Sequence, residues 1–591
     1  MNQPIAHRNA PSKRVIVAAA AVVILIFSGL LALDLANQGL AWRLFWSLTG
    51  EETPAAQIRG MIEWLGNATR AQPNTEPMVP INDAGVNPYG INTFLQQEVE
   101  PAKREQQVRM IAEAGFHWIR QQFPWQDIEI AGRGDFIDRR HVEIMGEISA
   151  WEKYDQIVAL TEQYGLEIEA RLDTPPAWAH TAPDAGTLGP PDDLQDYINF
   201  VTTFAERYKG RIHVYQIWNE PNIYPEWGER AVNPEGYTEM LCRAYAALKA
   251  VDPEIRVMSG ALSPTLALSE RDLNEFIFLQ RMYDAGAGEC FDIMAAQGYG
   301  FFSGPTDQRM RPTTVTFARN LYLRDVMVAN GDADKPIWIS EAAWNPVESP
   351  EVPEMANRLQ FGSATREQAA RYMPLAYRRA QQEWSWIGVI NYWFFKEAND
   401  EGQDQPQYYF RMVEPDFTPL PIYDAMKTYI ASETPTLYLG VHQADDRAIA
   451  PDDAAEIVGA PGAQFETALS ASSVTFTFQG TSAIIRWIGT LGDTLNIRVD
   501  GQDWGTSSGV TSIVSSRLLE ADDWTEVAIH HSLTAKTHTV ELTSSNGFLL
   551  DSVTVYDRTR EHLTPIMAGG AALGVLAVVG IGWALWKRIF G

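Results

Sequence analysis

The chain has 591 residues, among them 19 Trp, 21 Tyr and 24 Phe, and a formal charge of -29 at pH 7. Its length implies two or three units with ample apolar material for their cores, and its charge argues against nucleic acid and acidic polymers as partners, because a negative field repels both. The only cysteines are Cys242 and Cys290, too few for a disulfide framework or a cysteine zinc site. Two buried free thiols are expected, and one bridge between them is the alternative.

Residues 1–14 form a short tail carrying His7, Arg8, Lys13 and Arg14, and residues 15–33 are uncharged and apolar. A run of that length spans a bilayer as a helix, and the basic flank assigns the tail to the cytoplasm. A cleaved signal peptide is the competing reading. The run is long for one, and no small-x-small cleavage site follows it. Residues 34–81 read as a juxtamembrane segment and linker, with Trp42 and Trp46 suited to the membrane interface.

From 82 to 430 strands and helices alternate, which predicts parallel strands covered by helices. Eight strands are predicted, at 89–93, 118–122, 167–172, 213–218, 255–259, 291–297, 337–341 and 388–393. Leu194, Tyr197, Ile198, Val201, Ala205 and Tyr208 mark the apolar stripe of one covering helix, and Thr365-x-x-Gln368 reads as a capping box before another. Helix-to-strand links are short and strand-to-helix links long. In a (β/α)8 TIM barrel the long side is the catalytic face. A doubly wound open sheet also alternates, but no Gly-rich phosphate fingerprint follows the first strand.

Two strand ends carry the chemistry. The fourth runs into Ile217-Trp218-Asn219-Glu220-Pro221-Asn222, and the seventh ends as Pro336-Ile337-Trp338-Ile339-Ser340-Glu341. Two carboxylates delivered by separate strand ends are what glycoside hydrolysis needs. Glu220 is expected to be the acid, its pKa raised by burial and by Glu341. Glu341 is expected to be the nucleophile, ionised beside Arg120. Asn219 is suited to hydrogen-bond a sugar 2-hydroxyl. Trp178, Trp227, Trp344 and Trp393 are candidates for stacking on sugar faces, with ordinary packing the alternative for each.

These motifs resemble the large (β/α)8 clan of retaining glycoside hydrolases that includes family 5 cellulases, family 39 xylosidases and family 2 galactosidases. In that clan the acid/base follows Asn after strand four and the nucleophile ends strand seven, which here implies Glu220 and Glu341. Thr174-Pro175-Pro176-Ala177-Trp178 resembles the clan's turn after strand three, and Phe291-Asp292-Ile293-Met294 resembles the start of strand six. One departure matters. Many relatives end strand six with His before Tyr, and this chain has Gln297-Gly298-Tyr299. The resemblance implies that Tyr299 holds the nucleophile and that Gln297 alters a substrate subsite.

Past about 431 the pattern changes to short alternating runs separated by turns such as Asp500-Gly501 and Asn546-Gly547. Residues 431–560 therefore predict an antiparallel β-sandwich, weakly similar to sugar-binding jelly rolls, with a structural spacer equally open. Residues 563–586 form a second uncharged apolar run, ended by Lys587 and Arg588, so both termini are expected in the cytoplasm. Gly570-x-x-x-Gly574 suggests helix-mediated self-association, though Gly is common in membrane helices. The expectation is an outward-facing retaining glycosidase at the cell membrane. It would act on an oligosaccharide or polysaccharide, without metal or cofactor. The competing class is an inactive sugar-binding or cell-surface scaffold.

Overall fold

The eight predicted runs become eight parallel strands, buried because helices cover the outer face. They are β1 (Tyr89–Thr93), β2 (Trp118–Pro124), β3 (Glu167–Asp173), β4 (Val214–Ile217), β5 (Arg256–Met258), β6 (Met294–Gln297), β7 (Ile337–Ala342) and β8 (Ile387–Tyr392). In this computed structural model, which describes residues 13–67, 69–182, 188–489, 494–508, 524–529 and 535–557, the strands neighbour one another in the order β5-β4-β3-β2-β1-β8-β7-β6. Isolated parallel bridges Met258–Ile293 and Leu262–Ala296 join the β5 and β6 sides, so the ring is nearly closed. Each predicted strand is present, shifted by at most three residues at an end.

Three helices precede the barrel: α1 (Lys13–Ala36), α2 (Leu40–Thr49) and α3 (Pro54–Asn67). They form one unit with Thr306–Met310, and the barrel and the β-rich region form another. Within the first unit the buried Arg309 guanidinium pairs with Asp307, Glu51 and Glu63, each at 2.8 Å. Among the described residues no single helix is long and apolar enough to cross a membrane. Ile24–Ala36 and Leu40–Thr49 pass that test together, as a pair bent by 71°. The predicted span at 563–586 and its Gly570-x-x-x-Gly574 lie outside the described residues.

Each barrel strand is followed by a helix: α4 (Pro101–Glu113), α5 (Glu152–Gln163), α6 (Leu194–Arg207), α7 (Pro234–Val251), α8 (Glu275–Asp284), α9 (Asn320–Ala329), α10 (Arg366–Glu383) and α11 (Pro421–Ser432). The predicted stripe on α6 is buried at Tyr197, Ile198, Val201 and Ala205. The predicted capping box forms at α10, where Thr365 and Gln368 satisfy each other's backbone N–H groups. The expectation of free thiols is corrected. Cys242 on α7 and Cys290, just before β6, are joined in a disulfide, with Cα atoms 4.6 Å apart. Counting cysteines did not reveal that the helix after strand four packs beside the entry to strand six.

The β-rich region contains β9 (Gly440–Gln443), β10 (Ile449–Pro451), β11 (Glu456–Gly459), β12 (Thr467–Gly480), β13 (Ser482–Ile488), β14 (Thr494–Val499), β15 (Gln502–Ser508), β16 (Thr525–Ile529) and β17 (Lys536–Tyr556). Among the described residues its strands pair with one another antiparallel, and the long β17 pairs with β12, β13, β14 and β9. Strict alternation in β14 sends Leu495, Ile497 and Val499 inward, where they join Phe476, Phe478, Trp487, Val540 and Leu542 in one core.

His442 of β9 lies between two acceptors, Asp446 Oδ2 at 2.9 Å from Nδ1 and the Tyr438 carbonyl at 2.8 Å from Nε2. Both ring nitrogens must donate, so the ring carries two protons. Burial opposes that charge, but the hydrogen bond and charge of Asp446 outweigh it, and the pKa is raised. A raised folded-state pKa gives stability that is complete below the unfolded value, about 6.5, and is lost as pH rises through the folded one. The stability gap between the wild type and His442→Gln, about 1–3 kcal/mol by chemical denaturation, is therefore expected to shrink with rising pH. A gap that does not change with pH would show the ring to be neutral.

Candidate active site

Polar residues gather where the parallel strands end, inside the ring. Arg120 on β2 sits in register with Asn92 on β1 and Glu169 on β3, and its side chain is about 1% exposed. The guanidinium distributes its N–H groups over four acceptors. Nε donates to Gln216 Oε1 at 2.7 Å and Nη2 to Asn219 Oδ1 at 2.9 Å. Nη1 donates to Asn92 Oδ1 at 2.6 Å and to Glu341 Oε1 at 3.1 Å. Arg120 thus meets the predicted nucleophile, as the sequence suggests. The same cation also fixes Asn219, the residue before the predicted acid.

The second oxygen of Glu341 is held as well. Tyr299 Oη donates to Oε2 at 2.8 Å and Gln297 Nε2 approaches the same oxygen at 3.3 Å. Burial first, and then the charge of Glu341, push the Tyr299 phenol well above its usual range, so it stays a donor. Gln297 Nε2 also lies 2.5 Å from Glu220 Oε1. One nitrogen thus reaches both carboxyls, and Glu220 Oε1 and Glu341 Oε2 are separated by no more than the sum of those two bonds, about 6 Å.

Glu220 stands on a strained turn. Trp218 and Glu220 both adopt left-handed backbone, with φ of 71° and 42°, each at a cost of about 1–3 kcal/mol. Hydrogen bonds hold the turn: Trp218 N to the Leu172 carbonyl at 3.1 Å and Glu220 N to the Ala261 carbonyl at 2.9 Å. Asn222 adds three more, donating to the Ser263 and Leu273 carbonyls and accepting from Ser263 N. Burial and then the charge of Glu341 raise the Glu220 pKa to about 7, against the lowering effect of hydrogen bonds from Gln297 and Ser263 and of the Arg171 charge. A carboxyl at that value is protonated half the time near neutrality, which suits a general acid.

The tryptophans divide. Trp393, just past β8, is half-buried with its edge against Phe94 at 5.5 Å. Trp178 is also half-buried, its indole donating to the Glu129 carbonyl at 2.8 Å and its ring edge-on to Trp125 at 5.4 Å. Trp344 is misassigned by the sequence reading. It is fully buried, donates to the Ser303 carbonyl at 2.8 Å and packs on Phe317 and Tyr372, so it cannot meet a sugar. Trp227 is likewise buried, between Trp218 and Tyr237.

Several groups escaped the sequence reading. Arg171 and Asp173 at the end of β3 form a buried ion pair. Glu226, in the loop after β4, interacts electrostatically with Arg171, Glu220, Asp173 and Glu341. Burial and then the neighbouring acids, against Arg171, raise its pKa to about 8. Glu169, deeper in the barrel, accepts from Asn391 Nδ2 at 2.9 and 3.0 Å, and burial raises its pKa to about 7. Charges inside an otherwise apolar strand, as in Glu167-Ile168-Glu169-Ala170-Arg171-Leu172-Asp173, were the available signal.

No protein-family model matches the chain, and no curated protein matches it. Solved structures similar to it are glycoside hydrolases of families 39, 30 and 5. One is a family 39 glycoside hydrolase from the gut symbiont Bacteroides cellulosilyticus WH2, at 16% identity, covering 79% of this chain and 82% of that one, with a TM-score of 0.44. Another is a GH39 β-xylosidase from Caulobacter crescentus, at 15% identity, covering 80% and 98%, with a TM-score of 0.42.

Arg120→Lys keeps the charge but loses the planar fork, and one ammonium cannot serve four acceptors placed around it. The expected result is a loss of about 1–3 kcal/mol in unfolding free energy, the cost of leaving buried acceptors unmet, measured by urea denaturation. An unchanged midpoint would show that the fork contributes nothing to stability.

Proposed function

We propose that the protein is a retaining glycoside hydrolase, anchored in the membrane with its barrel outside the cytoplasm. The observation that carries the reading is the pair Glu220 and Glu341, within hydrogen-bond reach of one amide nitrogen. Their spacing of at most about 6 Å falls below the roughly 6.5–9.5 Å that inverting enzymes need to admit a water. Glu341 attacks the anomeric carbon as Glu220 gives its proton to the departing glycosidic oxygen, forming a covalent glycosyl-enzyme. Glu220, now ionised, takes a proton from water, and that water displaces Glu341 with net retention. Arg120 occupies Asn219 Oδ1, which leaves Asn219 Nδ2 for the sugar 2-hydroxyl. Trp393 and Trp178 offer partly exposed rings to sugar faces.

Membrane anchoring is supported by the two uncharged runs and their basic flanks, and by the exposed apolar side chains Leu25, Phe27, Leu30 and Leu33 on α1. Exposed apolar surface of that kind marks a membrane or partner contact. The Cys242–Cys290 disulfide supports an oxidising compartment for the barrel.

An activated aryl glycoside has a leaving group that departs without being protonated. On such a substrate Glu220→Ala is expected to form the glycosyl-enzyme at near wild-type rate and then stall, and azide should restore turnover with retained configuration. Glu341→Ala should give an inverted azide product or none. The opposite pattern would reverse the two roles, and full activity in both variants would end the glycosidase reading. For topology, protease added to intact cells is expected to remove the barrel and leave both tails protected. Labelling of Lys587 from outside would overturn the double-anchored arrangement.

A further inference from the structure

Gln297 stands at the position where the resemblance leads one to expect His, and its geometry gives it a definite job. It is 5% exposed, at the end of β6. Its neighbour across the sheet is Glu341, reached through a local shift in the β6–β7 register. Both groups it faces are carboxyl oxygens, so the amide presents nitrogen to them, one N–H for each. The bond to Glu220 Oε1 is 2.5 Å and that to Glu341 Oε2 is 3.3 Å. Each carboxyl has further partners. Arg120 and Tyr299 hold Glu341, and the Ser263 hydroxyl lies against Glu220. Only Gln297 touches both among the described residues.

We propose that Gln297 is the positioning residue that follows the site's single negative charge as it passes between the two glutamates. The proposal rests on the glycosidase reading and adds to it. Before reaction Glu341 is the anion and Glu220 carries the proton. In the glycosyl-enzyme Glu341 is a neutral ester and Glu220 has become the anion. The pair carries one negative charge throughout, and the charge changes residues. A donor already in contact with both oxygens stabilises it at either end without reorganising, which is how a preorganised dipole is most effective. An amide does this at every pH, whereas an imidazole in the same place would add a titration of its own near neutrality. The bond into Glu220 Oε1 also directs the transferable proton to Oε2, the oxygen that Gln297 leaves free.

The test uses the solubilised full-length chain and three variants. Gln297→Met removes the donor at similar volume, Gln297→Glu keeps the shape but adds a like charge, and Gln297→His restores a donor. Two readouts are taken. One is the pH profile of kcat/KM on an activated aryl glycoside, with pre-steady-state separation of glycosylation from deglycosylation. The other is an infrared titration of the Glu220 carboxyl, identified by its loss in Glu220→Gln, which needs no activity.

Gln297→Met is expected to slow both steps, by roughly 10- to 100-fold, the scale of losing one preorganised donor. It should also move the Glu220 titration up by about one pH unit. Gln297→Glu should move the titration further upward, and Gln297→His should recover most of the rate while adding an ionisation near neutrality. A Glu220 titration unmoved in both Met and Glu variants would overturn the proposal, as would a rate loss confined to one of the two steps. If wild type cleaves no aryl glycoside, the glycosidase reading fails, while the infrared titration still reports separately on the bridge.

Discussion

The site depends on burying one guanidinium. Arg120 has almost no exposed surface, and taking a cation out of water is costly unless every N–H finds an acceptor. Its acceptors come from β1, β4, the turn after β4, and β7. A planar fork fixes directions as well as distances, so one residue on β2 sets the orientation of Asn219 and of Glu341 together. Well-packed apolar residues would serve stability as well or better. A buried cation with these partners therefore points to chemistry as its reason for being there. In the proposed mechanism the carboxyl that attacks the anomeric carbon and the one that protonates the departing oxygen are thus placed by a common reference.

The turn after β4 shows the same preference for position over stability. Two non-glycine residues at positive φ, separated only by Asn219, are expensive in any loop. The barrel overrides that cost because β3 and the segment just past β5 supply the carbonyls of Leu172 and Ala261 in fixed places. A free peptide of the same sequence would relax. Those two hydrogen bonds keep the strained turn in place and Glu220 facing Gln297.

Much of this was legible in the sequence because parallel strands buried on both faces appear as continuous apolar runs, and a polar residue ending such a run has few places to go. Glu220, Glu341, Arg120 and Asn219 were read in this way, Gln297 and Tyr299 came from the resemblance to the clan, and the six lie together. Trp344 failed because an indole is as suited to a core as to a sugar, and only the fold shows that Gly300 leaves room for its ring beside Ser303. The disulfide failed for a related reason. Cysteines 48 residues apart meet through tertiary packing, of which local patterning carries no trace. Asn92 and Gln216 were missed because neutral amides in strands look like ordinary polar punctuation until a buried cation is found to need them.

The missed acids complete the electrostatics. Arg120 is matched by Glu341 and Arg171 by Asp173. With Gln297 on Glu220, this leaves Glu226, whose backbone carbonyl accepts from the Trp218 indole at 2.8 Å and whose carboxyl lies in the field of Arg171 and the other acids. Its raised value of about 8 follows from its surroundings: an anion there would be poorly solvated and then repelled by Glu220, Asp173 and Glu341, so the proton is retained. When Glu220 and Glu226 hold their protons, Arg120 and Arg171 each face one carboxylate partner, Glu341 and Asp173. The balance survives the proposed first step, since the charge lost when Glu341 becomes an ester reappears on Glu220. In the proposed mechanism the two glutamates together thus carry one negative charge on both sides of the step. The attraction on the substrate's developing positive charge then comes from Glu341, the proposed nucleophile.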